Sequence, residues 1–157
     1  MGDALDACAD ALAGWLKGQA ISMLFVGLAT WIALAALGIP APLVLGIIAG
    51  ILDFVPFFGP VVSGALAILL AFTQGPRAAP YVAVLVLLIQ QTEAHVMVPL
   101  LQRWAVKLPP VLSLVAVVVF VGLFGVPGVL LATPLMVVAM VLVRKLYVED
   151  LLEARAP

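Results

Sequence analysis

Two long runs without a charged side chain constrain the fold of this chain more than any other feature. Residues 18–52 and 108–143 contain no Asp, Glu, Lys or Arg. A helix that spans a bilayer needs about 20 predominantly apolar residues. Charged residues make up 10% of the chain, whereas a soluble domain carries about 25%. The sequence therefore predicts an all-α, multi-pass helical membrane protein surrounded by lipid. It excludes a water-soluble enzyme, a nucleic-acid-binding module and a disordered chain.

The predicted organisation has three parts. Apolar and acidic residues recur at helical spacing on different faces over residues 1–17. This predicts an amphipathic helix that lies at the membrane interface or packs on a neighbour, with Trp15 as an interfacial anchor. Residues 18–148 form the transmembrane domain, and residues 149–157 form a cytoplasmic tail. Within the domain we expect spanning helices over about 21–37 and 80–98, and broken hairpins over about 42–73 and 110–143. The first span should end at Gly38, because glycine followed by proline is a common helix stop.

The two broken segments are interrupted by proline and glycine near their middle. Such residues break the helical hydrogen-bond ladder, and each arm is then too short to span a bilayer untilted. We therefore predict re-entrant or short-helix hairpins. Paired broken segments also indicate discontinuous helices at a transport site; a true internal repeat and a chance similarity both remain open. The residues of the breaks are Pro56, Gly59, Pro60, Gly125, Pro127 and Gly128.

Basic residues favour the hairpin topology over two single crossings. If both hairpins return to their own side, six of the seven basic residues share one face and Arg77 lies opposite. If each broken segment crosses once, the division is five against two. Because basic residues concentrate on the cytoplasmic side, we expect a protein of the cell membrane with a cytoplasmic C-terminus.

Polar residues inside apolar sequence are the candidates for transport or ion coupling. Asp53 and Glu93 are the only acids outside the terminal segments, and a charge at the bilayer centre costs at least about 2.5–3.5 kcal/mol. A carboxyl group in lipid could exchange a proton or bind a sodium ion; the alternative is a solvated residue at a helix end. Gln90, Gln91 and His95 lie close to Glu93 in sequence. The single histidine predicts no metal site, and the sequence indicates no cofactor.

Several motifs in order along the chain resemble the autoinducer-2 exporter family, a family of permeases. The chain resembles the C-terminal half of that family's members, so a complete transport path requires further segments or associated chains. His95 stands where an asparagine-like residue is expected, and Pro109 where a histidine is common. The motifs are Gly18-Gln19, Leu37-Gly38-Ile39-Pro40, Asp53 to Pro60, Gln90-Gln91-Thr92-Glu93, Pro99, Leu108-Pro109-Pro110 and Phe124 to Gly128, continuing to Pro134.

The resemblance implies a transporter that moves a small polar solute. Within the family, export of the quorum-sensing signal autoinducer-2 and sodium/proton antiport are the implied activities. Coupling to protons or sodium would then use Glu93 and Asp53. The alternative is a non-transporting membrane scaffold or assembly element, a fragment of a larger transporter. Self-association into a homo-oligomer is also expected, through small residues that allow close helix approach: Gly46, Gly50, Gly64 and Ala67.

Overall fold

A computed structural model describes residues 2–55, 58–101 and 110–143, and these ranges contain helices and no strand. The predicted all-α fold is confirmed. The described residues form two compact units: residues 2–18 and 110–143 belong to one, and residues 19–101 belong to the other. The helices are α1 (Gly2–Ala36), α2 (Pro42–Leu52), α3 (Phe58–Phe72), α4 (Ala78–Thr92), a π-helix (Glu93–Met97), α5 (Val98–Leu101), α6 (Pro110–Phe124) and α7 (Val126–Val143).

Two helical stretches of the described chain are long and apolar enough to cross a membrane. They are Leu5–Ala36 and Ala78–Leu100, and the shorter apolar helices include Pro42–Leu52, Phe58–Phe72 and Leu131–Val143. The predicted spans 21–37 and 80–98 fall almost entirely within the two long stretches. The shorter helices lie in the two segments that were predicted to be broken, about 42–73 and 110–143.

Helix α1 is continuous, whereas the sequence suggested an interfacial helix over 1–17 followed by a separate span. No proline interrupts it, and an interior glycine such as Gly18 costs only about 1 kcal/mol relative to alanine. Trp15 is 8% exposed, so its side chain is buried instead of facing outward as an interfacial anchor would. Every fourth residue from Gly18 onward is buried, which gives α1 one continuous packing stripe: Gly18, Ser22, Val26, Thr30 and Leu34.

The predicted helix stop at Gly38 is confirmed. Gly38 has φ +69°, its N–H donates to the Ala35 carbonyl at 3.0 Å, and the Ile39 N–H donates to the Leu34 carbonyl at 3.0 Å. This pair of bonds is a Schellman motif. Leu34 and Ile39 are both buried in the same apolar cluster, which is the contact that usually accompanies the motif.

Close glycine contacts pack α2 antiparallel against α1. A side chain on Gly46 would lie 2.7 Å from the Gly27 carbonyl oxygen, and one on Gly50 would lie 2.7 Å from the Met23 carbonyl oxygen. As residue numbers rise along α2 they fall along α1, so α2 returns toward the start of α1. The turn after α2 therefore lies beside Gln19.

Both broken segments form helical hairpins, as predicted. Helices α2 and α3 pack on each other, as do α6 and α7. The α2–α3 hairpin also returns to the side from which it starts, because the Gln74 side chain after α3 donates to the carbonyl of Gly38 before α2. The first hairpin is thus re-entrant with respect to α1.

A glycine at the start of the second arm lets each hairpin close. A Cβ atom on Gly59 would lie 1.9 Å from the Leu52 carbonyl oxygen, and one on Gly128 would lie 2.0 Å from the Phe120 carbonyl oxygen. No side chain fits either crossing. The helices can therefore approach so closely only where the second arm has glycine.

The small residues predicted to mediate self-association pack inside the chain. Gly46 and Gly50 face α1, a Cβ on Gly64 would lie 3.0 Å from Val86 Cγ1, and Ala67 is 1% exposed in the apolar cluster. These residues offer no free surface to a second copy. Self-association itself stays a prediction.

Helix α4 continues through the π-helix into α5. Pro99 lies in α5, and a proline in a helix clashes with the carbonyl group four residues earlier. That carbonyl belongs to His95, inside the π-helix Glu93–Met97. The wider turn gives room for the proline and changes the direction of the side chains around Glu93. Single π turns occur frequently at functional sites.

Candidate functional site

The two acids singled out by the sequence lie together in the structure. Asp53 occupies the turn after α2 and is 5% exposed, and Glu93 begins the π-helix and is half-buried. Their carboxyl groups interact directly. The Ser22 hydroxyl group donates to Glu93 Oε1 at 2.9 Å and also contacts the Asp53 carboxyl. We call Asp53 and Glu93 the carboxyl pair.

Helix α1 holds the carboxyl pair in place through two polar side chains. Gln19 Nε2 donates to the backbone carbonyl of Asp53 at 2.9 Å, which ties the hairpin turn to α1. Ser22, one turn later, bonds Glu93 and so ties α4 to the same helix. Ser22 lies 14 residues before the end of α1 at Ala36, or about 21 Å along the axis at 1.5 Å per residue. The pair is thus well inside the length of the spanning helix.

One oxygen of the pair lacks a hydrogen-bond partner. Asp53 Oδ2 is buried and unpartnered, although the Glu93 carboxyl is close. Two ionised carboxylates only accept hydrogen bonds, so their contact becomes a hydrogen bond only when a proton lies between them. A buried group without a partner costs about 1–3 kcal/mol. Asp53 Oδ2 therefore lacks a partner unless a proton or another cation lies between the two carboxyl groups.

No basic side chain neutralises the carboxyl pair within the described chain. The groups that act on the two carboxyls there are each other and Ser22. Two like charges about 4 Å apart repel by about 4 kcal/mol at an effective dielectric constant of 20. A single proton or monovalent cation would remove this repulsion, so the arrangement is suited to take up one positive charge and release it.

The structure places the other three candidates, Gln90, Gln91 and His95, in different surroundings. Gln90 is half-buried and lines a cavity between α1, α3 and α4. Gln91 and His95 are exposed, and His95 Nδ1 lies 3.0 Å from the Gln91 carbonyl oxygen. Neither side chain is among the groups that act on the carboxyl pair. In the described ranges, no group of three or more His, Cys, Asp or Glu residues could hold a metal ion.

The break residues occupy the hairpin turns. Gly59 and Pro60 lie in the first turn of α3, where proline is tolerated, and Pro56 lies outside the described residues. In the second hairpin Gly125 has φ +66° and ends α6. Pro127 and Gly128 belong to the first turn of α7.

Sequence reasoning overlooked Ser22 and the contact made by Gln19. A usable signal was present, because the charge-free run 18–52 contains three side chains with an amide or hydroxyl group, Gln19, Ser22 and Thr30. Ser22 and Thr30 lie two turns apart on one helix face, and Gln19 precedes Ser22 by one turn. A polar stripe on a helix in lipid should face other helices.

The chain matches the family model described as AI-2E family transporter over residues 1–147. It belongs to the AI-2E transporter family. It is 31% identical over 125 residues to "Putative transport protein YrrI" of Bacillus subtilis (strain 168), covering 80% of this chain and 35% of the relative. It is 31% identical over 127 residues to "Putative permease PerM" of Escherichia coli (strain K12), covering 79% of this chain and 36% of the relative.

The chain therefore spans about a third of the length of the curated relatives it matches. No solved structure matches it. Family membership confirms the resemblance noted in the sequence, supports a membrane transporter in general, and suggests a non-enzymatic role. The apolar helices agree with a membrane protein.

Proposed function

We propose that this chain forms part of a permease that moves a small polar solute across the cell membrane and couples the movement to a proton or sodium ion. The observation that carries the proposal is the carboxyl pair with its unpartnered Asp53 Oδ2. A buried acid costs free energy in a membrane protein, and such residues mark ion and substrate pathways. The coupling ion binds between Asp53 and Glu93.

The re-entrant hairpin supports this role because it carries one member of the pair. Asp53 lies at the hairpin turn, where discontinuous helices of transporters place ion and substrate sites. Glu93 lies on a spanning helix. A movement of the hairpin relative to α4 would separate the two carboxyls and change the affinity for the bound cation.

Autoinducer-2 is the solute to test first, because the family's name refers to it. We further propose that the chain lies in the plasma membrane, crosses it more than once, and has its C-terminus in the cytoplasm. Arg77, exposed after the first hairpin, would then face outward. Arg103, Lys107 and the basic residues from 144 onward lie outside the described residues.

The test uses the full chain reconstituted in lipid vesicles that contain a pH-sensitive dye. We expect a sodium or autoinducer-2 gradient to change the internal pH for the wild-type chain. Glu93→Gln and Asp53→Asn should each abolish the response, because each removes one titrating carboxyl while keeping side-chain size. Asp10→Asn is the matched control, since Asp10 is an exposed acid of α1.

Two results would contradict the proposal. A wild-type response in the Glu93→Gln vesicles, with unchanged dependence on pH, would leave the pair only a packing role. No flux of ions or autoinducer-2 with the wild-type chain would favour the alternative of a non-transporting scaffold. Circular dichroism of each variant checks that its helices form.

A further inference from the structure

Ser22 contacts both members of the carboxyl pair. Its hydroxyl group donates to Glu93 Oε1 at 2.9 Å and also contacts the carboxyl group of Asp53. A serine hydroxyl carries a single hydrogen atom, so it can donate to only one of the two carboxyl groups at a time. The acceptor of that hydrogen therefore makes the two acids unequal.

The hydrogen bond from Ser22 identifies Glu93 as the carboxyl group that keeps its negative charge. A serine inside a helix can also donate to the carbonyl group four residues earlier, which for Ser22 belongs to Gly18. The hydroxyl group donates instead to Glu93, 71 residues away along the chain. Hydrogen bonds are about twice as strong when the acceptor is ionised, so this bond stabilises the carboxylate form of Glu93.

The two acids also differ in burial. Asp53 is 5% exposed, whereas Glu93 is half-buried. Because a charge loses more hydration free energy when it is more deeply buried, a single negative charge costs less on Glu93. Asp53 Oδ2 is the buried oxygen without a partner, and a proton bound there would give it a hydrogen to donate to Glu93. Burial and hydrogen bonding thus favour the same assignment.

Close packing of α2 on α1 holds the Ser22 hydroxyl group beside the pair. A Cβ atom on Gly50 would lie 2.7 Å from the Met23 carbonyl oxygen, and Met23 follows Ser22 directly. Asp53 comes three residues after Gly50, at the C-terminal end of α2. The two backbones leave no room for a side chain between them, so the distance from α1 to the hairpin turn is fixed.

We propose that Ser22 is a positioning residue that gives the two carboxyl groups different roles in proton coupling. It holds Glu93 as the ionised partner, and the coupling proton binds at Asp53 Oδ2. When the proton arrives from the aqueous phase, an O–H bond forms at Asp53 Oδ2 and donates to the Glu93 carboxylate. On release that O–H bond breaks and the proton returns to water. No electron is transferred, and the pair changes between two negative charges and one.

This inference rests on the proposed function, because it takes the coupling ion of the same pair to be a proton. The titratable groups of the pair are Asp53, from the turn after α2, and Glu93, from the start of the π-helix. Helices α2, α3 and α4 carry no charged residue. Lys17 on α1 and His95 in the π-helix are exposed, and neither is among the groups that act on the pair.

The test identifies by isotope labelling which carboxyl group holds the proton. The full chain is made by cell-free synthesis with heavy carbon in the side-chain carboxyl groups of either aspartate or glutamate. Infrared difference spectra between alkaline and acidic pH are then recorded in lipid films. The acid C=O band of the pair is the one that disappears when Asp53→Asn and Glu93→Gln are combined. For the wild-type chain we expect aspartate labelling to shift this band and glutamate labelling to leave it unchanged.

Variants of Ser22 test its part in that assignment. In Ser22→Ala the ratio of protonated Asp53 to protonated Glu93 should fall by about 10–100-fold, because a hydrogen bond to a charged group is lost. Glutamate labelling should then shift part of the band. Ser22→Thr keeps the hydroxyl group and should restore the wild-type pattern. Thr30→Val, which removes a hydroxyl group two turns away on the same face of α1, is the control that should leave the band unchanged.

The response to the labels is the deciding observation. A wild-type band that shifts with glutamate labelling alone would overturn the inference, as would the absence of an acid band from the pair, or a Ser22→Ala band with the wild-type response. The wild-type response decides even if Ser22→Ala fails to fold. The expected response without any ion flux in vesicles would refute the proposed function alone, whereas ion flux with the proton on Glu93 would refute only this inference.

Discussion

Replacing the glycine at a hairpin crossing should destabilise the chain more than any other glycine-to-alanine change at an ordinary φ in the described residues. In Gly59→Ala the new Cβ would lie 1.9 Å from the Leu52 oxygen and 2.4 Å from the Leu52 carbonyl carbon, whereas real Cβ atoms essentially never approach within 3.0 Å. The two arms must therefore separate by about 1 Å. All the contacted atoms are backbone, so no rotamer change relieves the overlap.

The expected magnitude follows from two opposing effects. Overpacking of a buried contact costs about 1–3 kcal/mol, and a clash with backbone alone should fall at the upper end of that range. Alanine in a helix gains about 0.5–1 kcal/mol over glycine. We therefore expect Gly59→Ala to lower the free energy of unfolding by about 2 kcal/mol. Gly128→Ala should behave alike, because its Cβ would lie 2.0 Å from the Phe120 oxygen.

The assay is reversible unfolding by sodium dodecyl sulfate in mixed micelles, followed by circular dichroism. Gly122→Ala is the control, because a Cβ there meets no heavy atom within 4 Å, and it should gain about 0.5–1 kcal/mol. If Gly59→Ala unfolds at the same detergent fraction as Gly122→Ala, the close crossing of the two arms is wrong.

Two further predictions concern helix packing and topology. Gly50→Ala, whose Cβ would lie 2.7 Å from the Met23 carbonyl oxygen, makes a milder overlap than Gly59→Ala and should lower stability by about 1 kcal/mol in the same assay, after the gain from alanine; a gain in stability as large as that of Gly122→Ala would contradict the α1–α2 packing. In a Cys8→Ser background, single cysteines at residues 73–76 should react with an impermeant thiol reagent in intact cells, and those at 102–107 should not. Labelling of residues 102–107 from outside would refute the hairpin topology.

Features of the fold that depend on neighbouring residues could be predicted from the sequence. The stop at Gly38 and the interruptions near Gly59 and Gly125 were predictable, because glycine and proline change the backbone wherever they occur. That Asp53 and Glu93 would have polar partners was also predictable, because an acid in otherwise apolar sequence needs one. Each of these inferences uses residues close together in the chain.

The pairing of the two acids was not predictable, because it depends on tertiary packing. Asp53 and Glu93 are 40 residues apart, and they meet because glycine contacts fix the register of α2 on α1. The difference between Gln90 and Gln91 has the same origin. Neighbouring residues point about 100° apart on a helix, and only the orientation of α4 decides which one faces the cavity. The continuity of α1 was missed because its buried stripe outweighs the cost of Gly18.

The two hairpins both close through a glycine in the second arm, but their turns carry different residues. Gly59 and Gly128 each remove a side chain where the second arm passes the backbone of the first, so Gly128 is the structural counterpart of Gly59. The first turn then carries Asp53, whereas Gly125 occupies the second in a left-handed conformation. A glycine crossing therefore serves hairpin packing in both units. The ion coupling that we propose depends on the first hairpin, because only its turn also supplies a carboxyl group, among the described residues, for Glu93 to meet.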